Sequence, residues 1–471
     1  MNFPQRLIDI VGDDGVIQQA QAMSSFLVDE RRQYQGAAQA IVLPTTVAQT
    51  SAVIALCNDS GVGVVPQGGN TGYCGGATPS ESGDEIVLCL ARMNRLLALD
   101  ISSRAMTVES GMTLAAAQQA ADDAGLLFPL SMGSEQSCQI GGNLSTNAGG
   151  LAVLRYGTAR ELVLGLQVVL ADGTVVEELS PLRKNSTGYD VKQLFLGAEG
   201  TLGVITAATV KLFSKPKDHL ACWITTSSLE RACELFGYLK DELGENITSF
   251  EYISPESLRF LADALSDVEV PESIDFERHH ALMEFSSFLP DADRDALLTA
   301  LDRCSENGLV DDALVAKSET ERRALWRIRE QIPAAERVLG GSVKHDISVP
   351  MGQLPQLAER AKTMIRETFP TARCSLYGHV GDGNLHFNVL APQGQQHATW
   401  IASNKEQVSD LVHELAAQMQ GSFSAEHGVG KLKKDALKSY KNSASFSLMR
   451  AVKQSLDPRG IMNPGKVVEG S

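Results

Sequence analysis

Two stretches of the chain carry the residue types of a reactive site. Residues 373–390 read RCSLYGHVGDGNLHFNVL, and residues 424–431 read SAEHGVGK. Gly381-Asp382-Gly383 is a hairpin signal between two short strands. With the alternation of a strand, Ser375, Tyr377 and His379 share a face before the turn, and Asn384, His386 and Asn388 share one after it. Leu376, Val380, Leu385, Phe387 and Val389 take the apolar face. Imidazoles and amides converging on one face are costly to bury without partners. Glu426 and His427 stand just before Gly428 and Gly430, at an expected tight turn. His379, His386 and Glu426 would form a two-histidine, one-carboxylate ligand set. That is the composition of a catalytic zinc centre with open positions, and it also suits Fe(II). On spacing alone the alternative stays open: two cross-strand histidines satisfied by backbone and asparagine.

Basic residues upstream could hold an anion. In Trp326-Arg-Ile-Arg-Glu-Gln-Ile-Pro333, the residues Leu325, Ile328 and Ile332 form a helical core stripe. Arg329 lies beside it, on the face shared with Trp326 and Pro333. By pattern a helical arginine is a solvated charge. Lys344 follows 15 residues later, next to His345. The histidines at 219, 279, 280, 345, 397 and 413 read as surface or structural.

A second chemistry is written in glycine, of which the chain has 41. The segment Pro66-Gln-Gly-Gly-Asn-Thr-Gly-Tyr-Cys-Gly-Gly76 follows an apolar strand and holds Gly68, Gly69, Gly72, Gly75 and Gly76. So many glycines permit consecutive positive-φ turns whose N–H groups form an anion nest suited to a pyrophosphate. An elaborate surface turn is the alternative. Residues 133–150, GSEQSCQIGGNLSTNAGG, alternate small, hydroxyl and amide side chains, and residues 197–206, GAEGTLGVIT, run into a strand. Three such segments favour one extended ligand. Neither a Walker loop nor a strand–GxGxxG–helix fingerprint is present.

These segments need elements to position them. Thr46 caps an expected helix ended by Gly61, and strands are expected at 62–65, 85–90, 162–170 and 204–213. Residues 114–124 have helical spacing up to Gly125. The glycine-poor middle carries helical patterns at 228–243, 291–307 and 319–332, and 400–460 is again helical. The reading is an α+β protein.

Composition bounds the partners. Asp plus Glu number 57 against 41 Lys plus Arg, a net charge of −16, which disfavours nucleic acid. No apolar run is long enough for a membrane span, and the start, Met1-Asn2-Phe3-Pro4-Gln5-Arg6, lacks an apolar signal core. The eight cysteines are scattered without a CxxC pair, so a cytoplasmic protein with free thiols is expected.

PQGGNTGxxGG, IGGNLSTNAGG and GAEGTLGVIT together resemble the FAD-binding domain of the vanillyl-alcohol-oxidase/p-cresol-methylhydroxylase (PCMH) superfamily. HVGDGNLHFN with AEHG resembles the FAD-linked D-2-hydroxyacid dehydrogenases, the D-2-hydroxyglutarate group among them. The resemblance spans nearly the whole chain. It implies a two-subdomain PCMH-type FAD-binding domain over 1–215 and an α+β substrate (cap) domain with an antiparallel sheet over 216–420. A segment over 421–471 would return to the flavin. It implies FAD contacts at Pro66, Gln67, Gly68, Gly69, Asn70, Thr71, Gly75, Ser137, Gly141, Gly142, Ser145, Thr146, Ile205 and Asn463. With no histidine before His219, FAD would be non-covalent. The resemblance further implies a divalent metal, usually read as zinc in the family, on His379, His386 and Glu426, with His427 as the base. A small anionic 2-hydroxy acid would sit on Arg329, Lys344, Asn388 and His427. Pro333 stands where the family has threonine, and it offers neither hydroxyl nor N–H. A D-lactate or glycolate-type dehydrogenase is the alternative within the same fold. The acceptor implied is an electron-transfer flavoprotein or a quinone or cytochrome carrier, and the oligomeric state is not implied.

Overall fold

The computed structural model describes residues 2–470. The chain divides into two compact units. One comprises Met1–Gly150, Gly157–Lys215 and Glu426–Ser471, and the other Leu151–Tyr156 and Pro216–Ala425. The division therefore runs at Ala425/Glu426 rather than after residue 420, and a short stretch, Leu151–Tyr156, belongs to the second unit.

The first unit holds two main sheets. The four-stranded sheet runs Val16–Ile17, Ala40–Val42, Glu85–Cys89, Gly63–Gln67, and its last three strands are parallel. Glu85–Cys89 is buried throughout, as a near-continuous apolar strand of a parallel sheet must be. Helix Val47–Ser60 covers this sheet. Thr46 accepts the Gln49 N–H at its start, and Gly61 takes φ +67° at its end. The C-terminal stretch returns here: Met462 bridges Val64 in parallel, and Asn463 N–H donates to Val64 O. The five-stranded sheet is antiparallel, in the order Leu96–Asp100, Ala105–Glu109, Val204–Lys211, Val163–Val169, Val175–Glu178.

The second unit is built on an antiparallel sheet. Its order is Asp312–Val315, Asp218–Thr226, His279–Ser287, Ile247–Ile253, Arg373–Gly378, Asn384–Leu390, Ser342–Val343. Asp346–Ser348 also pairs with Asn384–Leu390. The hairpin appears with Ser375 opposite Asn388 and Tyr377 opposite His386. Its turn is a helical turn over Val380–Asp382 closed by Gly383 at φ +81°. Leu376, Leu385, Phe387 and Val389 are fully buried against helices Leu354–Thr368 and His397–Gln418. Truncating a core phenylalanine such as Phe387 costs about 3–5 kcal/mol.

Two sequence expectations change. Residues 140–145, inside a glycine-rich segment for which no helix was expected, form a short helix, Ile140–Ser145. The helix expected to stop at Ile332 runs through Pro333 to Val338. An interior proline forfeits one backbone hydrogen bond, costing ~3 kcal/mol. Burial of Ile332 and Ala335 on the same helix opposes that cost. Among the described residues no helix is long and apolar enough to cross a membrane. None of the eight cysteines forms a disulfide, and seven are buried.

Candidate active site

The first unit contains a cleft of about 910 Å³, counted out to its open mouth. Pro66, Gln67, Gly68, Gly69, Asn70, Thr71, Gly141, Gly142, Ser145, Thr146 and Ile205 line it. Gly75, Ser137 and Asn463 stand behind that lining. Ser137 shapes it from outside, because a Cβ on Gly69 would lie 2.0 Å from Ser137 O. Gly75 (φ +67°) packs on Tyr34. Asn463 Nδ2 donates to Gly76 O and Glu199 O at 2.9 and 2.8 Å.

The loop is not a run of positive-φ glycines. Between residues 66 and 79 only Asn70 and Gly75 adopt positive φ. Gly69 is needed for close approach instead, since a Cβ there would meet Ser137 O, whereas a Cβ on Gly68 would make ordinary contacts with Gln139. The Gln67 side chain is buried and donates to Phe26 O and Ala77 O, so it ties the loop down. Sequence reasoning passed over Ser110, Gln139 and Glu199, which also line the cleft. Ser110 Oγ and Gln139 Oε1 are buried without a hydrogen-bond partner among the described residues. A ligand with donors and acceptors completes such atoms, so the cleft fits a large polar cofactor such as FAD.

His427 belongs to the same unit and lines the same cleft. Its ring meets Tyr73 edge-on at 5.1 Å, and the Arg31 guanidinium lies 4.0 Å from the Tyr73 ring centre. Its neighbour Glu426 accepts the Gly150 N–H at 3.0 Å.

In the second unit, one polar network ties together the expected residues of the hairpin and the long helix. The His379 and His386 rings are 5.6 Å apart and nearly perpendicular. His379 Nδ1 is 2.5 Å from Glu251 Oε1, and Glu251 Oε2 accepts from Arg329 Nε at 2.8 Å. Arg329 is buried, not solvated as its helical pattern predicts, and its guanidinium lies 4.6 Å from the Tyr377 ring centre. Tyr377 Oη accepts from Asn388 Nδ2 at 3.1 Å. Asn388 Nδ2 also reaches both oxygens of Glu336 at 3.0 Å, and Lys344 Nζ is 3.0 Å from Glu336 Oε2.

Glu251 and Glu336 are fully buried, and neither was singled out from the sequence. The signal for Glu251 was a lone charge in the apolar strand ITSFEYI. Burial by itself would raise its pKa, but the charges of His379 and Arg329 outweigh burial and bring it down to about 2. An ionised carboxylate on Nδ1 fixes the His379 tautomer and turns Nε2 outward. This is the arrangement found behind metal-ligating histidines, and the donor set therefore fits a divalent cation. Glu426 follows Ala425 directly in the chain, and the Ala425 N–H bonds to Asp346 O beside the hairpin.

The sequence matches two domain families: an FAD binding domain over residues 38–178, and the C-terminal domain of FAD linked oxidases over residues 215–467. It is 35% identical over 98% of its length to a probable mitochondrial D-2-hydroxyglutarate dehydrogenase of Oryza sativa subsp. indica, covering 81% of that protein. It is 38% identical to the mitochondrial D-2-hydroxyglutarate dehydrogenase of Bos taurus, over 94% of this chain and 79% of that one. With the D-2-hydroxyglutarate dehydrogenase of Xanthomonas citri pv. viticola the identity is 35%, over 91% and 89%. The fold is shared with p-cresol methylhydroxylase (TM-score 0.76, 16% identity, 99% of this chain and 96% of that one). It is shared also with alkyldihydroxyacetonephosphate synthase (TM-score 0.75, 18% identity, 98% and 84%).

Proposed function

Since the chain belongs to the FAD-linked oxidase family, in its D-2-hydroxyglutarate dehydrogenase group, we propose that it oxidises D-2-hydroxyglutarate to 2-oxoglutarate. The observation that carries this reading is the buried network from His379 through Glu251, Arg329, Tyr377, Asn388 and Glu336 to Lys344. In it Arg329 from the long helix and Lys344 beside the hairpin strands stand with His379, and these groups support recognition of a substrate with carboxylates and a hydroxyl.

Non-covalent FAD, when bound in the glycine-lined cleft, supplies a two-electron hydride acceptor. A divalent metal, zinc by the chemistry of the ligand set, would be held by His379, His386 and Glu426, and supplies Lewis acidity toward the 2-hydroxyl. His427 takes the hydroxyl proton on a ring nitrogen, and an imidazole is matched to that task near neutral pH. Tyr73 restrains the orientation of the His427 ring. Arg329 and Lys344 orient the carboxylates, Arg329 with the terminal nitrogens beyond its Glu251 bond and Lys344 as a point charge. Asn388, locked between Tyr377 and Glu336, fixes the polar face on which the acid rests. A cytoplasmic setting is proposed on the scattered cysteines without a CxxC pair, and the family's carriers, an electron-transfer flavoprotein or a quinone or cytochrome partner, are the proposed acceptors.

A steady-state comparison of D-2-hydroxyglutarate, D-lactate and glycolate tests the substrate. The reading expects the highest kcat/KM for D-2-hydroxyglutarate. A higher value for D-lactate would reject it.

A further inference from the structure

The buried carboxylate of Glu199 has no part in the chemistry above, yet it touches every glycine segment of the first unit. Its backbone adopts φ +52°, left-handed and strained for a residue with a side chain. Such strain persists where surrounding bonds over-determine the conformation, and here they do. The Glu199 N–H donates to Ser145 O at 2.7 Å, and its C=O accepts from Asn463 Nδ2 at 2.8 Å. Its carboxylate accepts two backbone N–H groups, Val429 on Oε1 at 2.7 Å and Gly430 on Oε2 at 2.8 Å. A Cβ on Gly428 would lie 2.8 Å from Oε1, and one on Gly76 3.1 Å from Oε2. Gly428 itself has φ +74°. The acid thus grips, with both oxygens, the turn that begins one residue after His427, and it does so from the wall of the FAD cleft.

We propose that Glu199 is a positioning residue: its carboxylate clamps the 428–430 turn and thereby aims His427 into the cofactor cleft. This rests on the proposed role of His427 as base. A carboxylate is the group that fits, because both contacts are N–H donors and it alone offers two acceptors in one plane. An amide in its place turns an NH₂ toward one of the two N–H groups. The turn then rotates away, and His427 moves with it. The clamp also explains why this turn is glycine-rich: any side chain at 428 would displace the acid.

The test uses Glu199→Gln and Glu199→Asp in the FAD-loaded full chain. Three quantities are read: FAD dissociation constant, limiting rate of anaerobic flavin reduction by D-2-hydroxyglutarate, and hydrogen exchange of the Val429 and Gly430 amides. A displacement of a catalytic group by about 1 Å costs on the order of 100-fold in rate. Glu199→Gln should therefore slow reduction by roughly 10- to 100-fold, with FAD affinity and substrate KM little changed and amide exchange at 429 and 430 accelerated. Glu199→Asp, which keeps the two carboxyl oxygens and loses reach, should fall between, and it decides the matter if the Gln variant does not fold. Unchanged exchange, unchanged reduction, or a rate loss matched by FAD loss would each overturn the clamp. If wild-type flavin is not reduced by D-2-hydroxyglutarate, the substrate reading fails, while amide exchange still decides the clamp.

Discussion

The two units build their sites by opposite means. The cofactor cleft of the first unit is a backbone construction. Its glycines let main chain approach main chain, as at Gly69 against Ser137 O and Gly141 against Ser110, and its unsatisfied atoms are neutral, Ser110 Oγ and Gln139 Oε1. The hairpin site of the second unit is a side-chain construction. Arg329, Lys344 and His379 are held by two fully buried carboxylates, Glu251 and Glu336, delivered by a different strand and by the long helix. A backbone site fails by steric exclusion, and a charged network fails by leaving a charge unpaired. The two should therefore break differently.

The largest effect is expected at His427, the proposed base. His427→Ala should keep yellow FAD while reduction by substrate falls by about 100- to 10,000-fold, the usual worth of a positioned base. Stopped-flow absorbance measures it. Next comes the charged network. Glu251→Ala leaves Arg329 buried without its carboxylate, which costs roughly 3–5 kcal/mol, so thermal unfolding should drop by several degrees and bound metal, read by elemental analysis, should be lost together with it. The pH dependence has a definite sign. The Glu251 pKa is lowered from 4.5 to about 2 in the folded protein. Its stabilisation, of the order of 3 kcal/mol, is present above the ordinary carboxylate range and is lost as pH falls toward 2. In chelator-treated protein, wild type should lose stability below pH ~4.5 more steeply than Glu251→Gln.

The steric failure is more local. Gly69→Ala places a Cβ against Ser137 O, so the FAD content of the purified protein should fall, with unfolding of the second unit unmoved. Normal FAD affinity in that variant would break the contrast between the two constructions. The smallest effect is expected from Glu336→Gln, which keeps hydrogen bonds to Asn388 and Ser342 but loses the charge facing Lys344. KM for a dicarboxylate should change severalfold, with kcat close to wild type.

The same contrast explains what was legible in the sequence. Glycine clusters, the hairpin turn at 381–383 and the caps at Thr46 and Gly61 are local signals, and the structure puts them to use. The reason for the glycines was less legible: at 69 close approach, rather than positive φ, decides the type, and which chain approaches is a tertiary fact. Arg329 read as solvated because its partner is 78 residues away. Glu251 and Glu336 could not be assigned roles, since a buried acid takes its meaning from the cations that long-range folding brings to it. Pro333 suggested a helix end, but the packing of the residues beyond it carried the helix on.

The central claim is that a flavin held by the glycine-lined cleft accepts electrons from a D-2-hydroxy acid under His427 catalysis. Anaerobic mixing of the purified FAD protein with D-2-hydroxyglutarate, followed by the blue absorbance of the flavin, tests it most directly. The account predicts complete bleaching with D-2-hydroxyglutarate, none with the L-enantiomer, and slow or absent bleaching with D-lactate. A flavin that stays oxidised with D-2-hydroxyglutarate, but is reduced by dithionite, would contradict it.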